Sequence, residues 1–267
     1  MPLTIATWNI NSVRLRAPMV KDFLAEFQPD ILCLQEIKCM NDQFPAEIFS
    51  EAGYPYHAVN GQKAYHGVAT ISRLPLGNIS SRRFCENDDA RHVSAQVKFG
   101  AKKLNIHNFY VPAGGDVPDP EVNEKFKHKL GFLDEMQSWF KENEFASSQV
   151  IVGDFNIAPH ENDVWSHKQL LKVVSHTPIE TQKLDEMLLE GSWVDLVRKH
   201  IPEDEKLYSW WSYRAKNWDT SNKGRRLDHI WATSDIAAKS EQAQILRAAR
   251  GWSEKPSDHV PVIAHLI

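Results

Sequence analysis

Val150-Ile151-Val152-Gly153-Asp154-Phe155-Asn156 reads as a strand buried on both faces, closed by a glycine that permits a sharp exit, then an acid and an amide. The same design recurs elsewhere in the chain. Thr4 to Trp8 is closed by Asn9, Ile31 to Gln35 by Glu36, and Asp258-His259 stand just before Val260 to Leu266. Sheet strands deliver side chains at their ends to one rim, so residues far apart in sequence can meet there. Several carboxylates, two amides and an Asp-His pair so arranged suggest a divalent metal and a phosphoryl centre. Such chemistry needs oxygen ligands, polar orienters and a base together.

Between these runs the pattern alternates irregularly. Val20, Phe23, Leu24 and Phe27 recur at helical spacing, and Pro29 stops that helix before Ile31. From His57 to Leu104 the runs are short and β-like, broken at Gly61, Gly67, Gly77 and Gly100, which predicts consecutive antiparallel strands. Phe126, Leu130, Leu133, Met136 or Gln137, and Phe140 mark a long amphipathic helix. Leu170 to Val174 and Leu184 to Leu189 read as further helices, and strands return near Leu207, Leu227, Ala243 and Val260. This order fits an α/β fold of two packed sheets with helices outside better than a doubly wound parallel sheet.

The 267 residues, 42% hydrophobic and 25% charged, suffice for a substantial core. No composition shift or internal repeat divides them, so one domain over 1–267 is expected. Three cysteines without C-x-x-C spacing indicate neither a disulfide framework nor a zinc site. No apolar run approaches the roughly 18 residues of a membrane span. A monomeric, soluble, cytoplasmic protein is the expectation. The net charge of −4 argues against a polyanion-coating protein. Ser212 to Arg226 nevertheless has five basic residues, Arg214, Lys216, Lys223, Arg225 and Arg226, against Asp219 alone. With Trp210, Trp211, Tyr213 and Trp218 beside them, these make a plausible nucleic-acid surface. The plainer alternative is a solvated loop over a buried Trp pair.

Each polar position has two readings. Glu36 past a buried strand is an exposed turn acid or a metal ligand. Asn9 and Asn11, two residues apart, point to one side of their strand and could orient Glu36 or touch phosphate; the alternative is a turn or helix cap. Asp154 could orient and deprotonate water, with Asn156 holding the acid or a developing oxyanion; the alternative is an Asx turn. Asp258 and His259 project to opposite sides and do different jobs. Asp258 is free to bind metal with Glu36, and His259 needs a carboxylate partner, for which Asp228 is the best candidate.

At these residues the chain resembles the exonuclease III family of apurinic/apyrimidinic endonucleases, within the endonuclease/exonuclease/phosphatase superfamily. The resemblance rests on Trp8-Asn9-Ile10-Asn11, Leu34-Gln35-Glu36, His66-Gly67-Val68-Ala69, Tyr110-Val111-Pro112, Gly153-Asp154-Phe155-Asn156, Arg226-Leu227-Asp228 and Ser257-Asp258-His259-Val260-Pro261. It implies a four-layered α/β sandwich with the site at one edge of two packed sheets. By resemblance, Glu36 and Asp258 hold Mg²⁺ or Mn²⁺, with Asn9 in or next to that group. Asp154 activates water, aided by Asn156, or these two bind a second metal. Tyr110 contacts the phosphate, and His259, held by Asp228, steadies it. Trp210 matches the family's pocket aromatic, and Asn11, Arg91, Arg214, Lys216 and Arg225 are further DNA-contact candidates. The implied substrate is double-stranded DNA with abasic sites or blocked 3′ ends.

Three positions depart from the family pattern. Ala113 stands where an amide is usual, Arg225 where an apolar or aromatic residue is common, and Ser12 where Gly is frequent. The first two bear on the nucleotide pocket. The competing functions are a phosphoesterase of the superfamily acting on a lipid or inositol phosphate, and a non-catalytic module that binds DNA lesions.

Overall fold

The computed structural model describes residues 2–142, 148–252 and 255–267. β1 (Leu3–Asn9) and β2 (Ile31–Gln35) run parallel, joined by the helix Val13–Phe27, and β3 (Tyr56–Asn60) with β4 (Val68–Ser72) forms a hairpin that adds to β2. The meander β5 (Gly77–Ser80), β6 (His92–Phe99) and β7 (Lys102–Tyr110) opens a second sheet. Through the helix Glu124–Glu142 the chain crosses to β8 (Gln149–Asp154), parallel to β7. β9 (Trp193–Asp195) lies at that sheet's edge; β10 (Trp210–Trp211) and β11 (Gly224–Arg225) make a small separate ribbon. β12 (Asp228–Thr233) then enters between β8 and β9, and β13 (Ser240–Ile245) and β14 (Val262–Leu266) return to the first sheet.

The strand orders are β13-β14-β1-β2-β4-β3 and β5-β6-β7-β8-β12-β9. Each sheet carries one parallel pair at its middle. Parallel strands end at the same edge, and their antiparallel neighbours begin there. The last residues of β1, β2, β7 and β8 therefore share a rim with the residues that lead into β12 and β14.

The two-residue period of a strand decides what lies between the sheets. Leu3, Ile5, Ile31, Cys33, Leu104, Ile106, Val150, Val152, Ile230 and Ala232 form the central core. Fully burying such side chains contributes about 1.5–3 kcal/mol each. The same faces continue toward the rim as Thr7 and Asn9, Gln35, Asn108 and Tyr110, Asp154, and Asp228. The core is closed by a polar layer in which Gln35 Nε2 donates to Thr7 Oγ1 (2.9 Å) and Asn108 Oδ1 (2.7 Å). On the outer faces, Trp8 and Leu34 pack under Val20 and Phe23, and Ile151 and Trp231 under Phe132, Leu133, Met136 and Leu184. Two sheets inside and helices on both outer faces give the four-layered α/β sandwich.

Some local expectations differ from the structure. Helix at 170–174 is confined to the turn His167–Leu170, and the strand expected near Leu207 is the two-residue β10. Val173 and Val174 are buried or half-buried beside the loop rather than on a helix. Gly153 does not provide the exit from β8. It lies within the strand at φ +141, where a Cβ would stand 1.9 Å from the Phe109 carbonyl oxygen. The turn falls instead at Asn156, at φ 54. Among the described residues no helix is long and apolar enough to cross a membrane.

Candidate active site

Asp154, the last residue of β8, faces Asp228, the first of β12, as a direct cross-strand partner. Both acids are buried. His259 lies between them, its Nδ1 2.8 Å from Asp228 Oδ2 and its Nε2 3.6 Å from Asp154 Oδ2. The imidazole is fixed from its main chain as well, since Trp8 Nε1 donates to the His259 carbonyl (3.0 Å) and Ser257 Oγ accepts its N–H (3.2 Å). Burial opposes a charge on His259, but Asp228 and Asp154 more than offset that, holding its pKa up at about 10. Burial pushes the Asp154 carboxyl up to about 7 against the pull of the His259 charge, with repulsion from Asp228 and Glu36 adding to the rise. An acid that exchanges its proton near neutrality, beside a fixed cation, is suited to general-base work.

Asn156 steadies that acid. Its main-chain N–H donates to Asp154 Oδ1 (2.9 Å), and its side-chain Nδ2 donates to Asp154 Oδ2 (3.2 Å) and to the Val111 carbonyl (2.9 Å). The Asx turn and the supporting amide are thus the same feature.

Glu36 lies at a left-handed φ of 51, which turns it out of β2 toward the second sheet. Its Oε1 accepts from Asn9 Nδ2 (2.9 Å) and the Tyr110 hydroxyl (2.8 Å), and its Oε2 pairs with Lys38 Nζ (2.8 Å). Burial alone would raise its pKa; Lys38, the Asn9 hydrogen bond and His259 outweigh it, so Glu36 is held ionised below its ordinary value. Tyr110 is pushed the other way, well above its ordinary value, by burial and by Glu36 and Asp154, and stays a neutral donor. Asn9 Nδ2 also donates to Asp154 Oδ2 (2.9 Å), while its Oδ1 accepts the Asn11 N–H (3.1 Å). Asn9 thus bridges the two acids through its Nδ2.

Asp258 accepts from Trp210 Nε1 (2.9 Å) and Asn11 Nδ2 (3.2 Å). Lys38 Nζ also donates to Asn11 Oδ1 (2.5 Å), so one ammonium links the Glu36 and Asp258 surroundings. Oxygen donors that already hold a cationic group fit a hard divalent ion. A second set, Asp154, Asp228 and His259, brings one ligand atom from each within 4.8 Å of the others. A ligating imidazole must be neutral. With no ion bound, the charge on His259 makes this set an ion-pair chain; with one bound, the imidazole is a neutral ligand.

The DNA-contact candidates divide. Trp210 and Arg225 wall a cleft of about 600 Å³ together with Trp165, Val173, Arg214 and Lys223. The Arg225 guanidinium lies 5.2 Å from the Trp210 ring centroid, and its Nη1 donates to the Val174 carbonyl (3.0 Å) and Ser175 Oγ (2.8 Å). Trp211 is buried, Trp210 only partly so; Arg214 and Lys216 are exposed. Arg91 is not a surface cation. It is 6% exposed, bonds Asp89 and the Tyr110 carbonyl, and lies 5.0 Å from the Tyr110 ring centroid, which it supports.

Three contributors escaped the sequence reading. Ser209 Oγ donates to Asp228 Oδ2 (2.6 Å) and accepts the N–H groups of Leu227 and Asp228. Ser257 Oγ donates to the Asn9 carbonyl (2.6 Å). Lys38 is the third, and its signal was present: it follows Glu36 by two residues.

The chain matches the model of the Endonuclease/Exonuclease/phosphatase family over residues 6–259. It is 32% identical to exodeoxyribonuclease III of Haemophilus influenzae, over 97% of both chains. The solved structure of an AP endonuclease from Archaeoglobus fulgidus superposes with a TM-score of 0.89 at 33% identity, over 98% of each chain. That of the 3′ phosphatase NExo from Neisseria, bound to product DNA hairpin, gives 0.89 at 30%, over 99% of each. With its fold, its rim of acids and amides and these likenesses in agreement, the chain belongs to the endonuclease/exonuclease/phosphatase family, in the branch of the exonuclease III-like enzymes.

Proposed function

We propose that the rim is the active site of a metal-dependent DNA repair nuclease. It hydrolyses the phosphodiester 5′ to abasic sites in duplex DNA and removes nucleotides and blocking groups from 3′ ends. The observation that carries this reading is the Asp154–His259–Asp228 chain beside Glu36 and Tyr110, opening next to the Trp210–Arg225 cleft. Glu36 and Asp258 would hold Mg²⁺ or Mn²⁺. Such an ion, when bound, draws charge from the phosphoryl oxygens.

The chain's own groups supply the rest. Asp154 takes the proton of the attacking water, held in orientation by Asn156 and Asn9. His259 presents its charged Nε2–H toward the negative charge that grows on the phosphoryl group, and Tyr110 offers a neutral hydroxyl to the same region. Asp228 keeps the imidazole charged and aimed. An abasic nucleotide has no stacked base and is extruded at less cost than an intact one, so the cleft beside Trp210 favours it. The protein acts as a monomer in the cytoplasm on this reading.

A duplex carrying one abasic analogue, incubated with Mg²⁺ or with EDTA, tests the proposal. Incision confined to the Mg²⁺ reaction supports it. Tight binding without incision under both conditions would instead indicate a lesion-binding module.

A further inference from the structure

Three consecutive carbonyls in the loop that leaves β8 each accept a hydrogen bond from a buried side chain. Lys129 Nζ donates to Asn156 O (2.8 Å), His229 Nε2 to Ile157 O (2.8 Å) and His176 Nδ1 to Ala158 O (2.6 Å). Lys129 is ion-paired to Glu180, with both side chains 0% exposed. Its ammonium also lies 3.5 Å from the Ala113 carbonyl, in the loop that follows Tyr110. One charged group thus touches both loops that leave the parallel pair of the second sheet.

Glu180 is itself immobilised. As the third residue of the helix Pro178–Glu190 it accepts from the main-chain N–H groups of Ser175 and Thr177 and from Thr177 Oγ1 (2.6 Å). A wholly buried ion pair is costly to desolvate, and apolar replacements of similar volume are commonly neutral or stabilising. Stability alone does not call for charge here. The contact with Asn156 does, because that residue sits at a left-handed φ of 54 and holds both oxygens of Asp154.

We propose that Lys129, held by Glu180, is a positioning residue for hydrolysis, fixing Asn156 and through it the Asp154 carboxylate; this rests on the catalytic reading of Asp154 given above. A misplacement of the order of 1 Å can cost about 100-fold in rate. The test compares Lys129→Met, Lys129→Arg, the double variant Lys129→Met/Glu180→Gln, whose neutral amide oxygen still accepts from the Ser175 and Thr177 donors, and Asp154→Asn as a control. Melting temperature, kcat and KM are read on abasic-analogue duplex with Mg²⁺. Lys129→Met alone leaves Glu180 buried and unpaired, and should melt about 10 °C lower. The double variant should regain the melting temperature while kcat stays about 10- to 100-fold down with KM little changed. Lys129→Arg should recover part of that kcat. A double variant that recovers both stability and kcat makes the pair purely structural and overturns the proposal, provided Asp154→Asn is inactive. An active Asp154→Asn would instead remove the reading on which it rests.

Discussion

Asp154 and Asp228 are direct partners across β8 and β12, two buried acids with a single imidazole between them. Like charges opposite one another weaken a sheet, and in a buried setting the repulsion is poorly screened. The charge on His259 pulls against the burial and repulsion that raise the Asp154 carboxyl. His259→Asn should therefore be destabilised by about 3–5 kcal/mol, the usual cost of leaving buried charge uncompensated, as well as losing incision. Urea unfolding measures the first effect. A variant as stable as the parent would show that the acids do not depend on the imidazole.

Asp154→Asn keeps the shape of the side chain and its contact with Asn9 while removing the basic oxygen. It should bind abasic-analogue DNA at near-parental affinity and cut it about 100- to 10,000-fold more slowly in single-turnover reactions. Near-normal cleavage at saturating Mg²⁺ would reject the assignment of Asp154 as the base.

Glu36 gathers Asn9, Tyr110 and Lys38 around one carboxylate. Glu36→Ala should preserve the fold, because the residue lies beyond the end of β2, and should raise the Mg²⁺ concentration needed for half-maximal incision. An unchanged metal titration would remove Glu36 from the ligand set.

What could be seen in the chain beforehand follows from where each signal resides. A polar residue closing an apolar run is a local pattern, so Asn9, Glu36, Asp154 and the Asp258-His259 pair were visible, and packing two sheets brings them to one rim. Strand order was not visible. β14, last in the chain, lies beside β1, a pairing that depends on contacts more than 250 residues apart, such as Leu3 with Leu266. The three residues of β9 are too few for any periodicity to register. Ser209 reaches Asp228 from just before β10, a long-range contact that its own residue type does not mark. Arg91, a DNA-contact candidate by resemblance, has its guanidinium folded under Tyr110, a packing that no local pattern marks. Lys129 did leave a trace, as a charge set between Phe126 and Leu133 on the buried face of its helix.

Ser12 is held at φ 88 and ψ 97, and its side chain makes no capping hydrogen bond to the helix Val13–Phe27 that follows. That backbone region strains any residue with a Cβ by about 1–3 kcal/mol. Ser12→Gly relieves the strain at some cost in unfolded-state entropy. A net gain of about 1 kcal/mol, or 2–4 °C in melting temperature, is expected. Differential scanning calorimetry checks it, and a lower melting temperature would show that the turn is not strained.

His92 and His107 form a buried relay on the helix-facing side of the second sheet: His92 Nε2 lies 3.1 Å from His107 Nδ1, and His107 Nε2 lies 3.2 Å from Gln149 Oε1. Burial lowers the His107 pKa to about 4, and burial with the neighbouring His107 and Arg82 lowers that of His92 well below 6.5. Both are neutral in the fold at pH 7. In the unfolded chain they take up protons near pH 6.5, so below that value the unfolded state binds more protons and stability falls with falling pH. The loss from His107 runs from about pH 6.5 to about pH 4 and amounts to about 3 kcal/mol. His107→Gln keeps a neutral hydrogen-bonding group and removes that proton. Its unfolding free energy, measured from pH 7 to pH 4.5, should decline less steeply than the parent's. Parallel curves would mean that the acid sensitivity lies elsewhere.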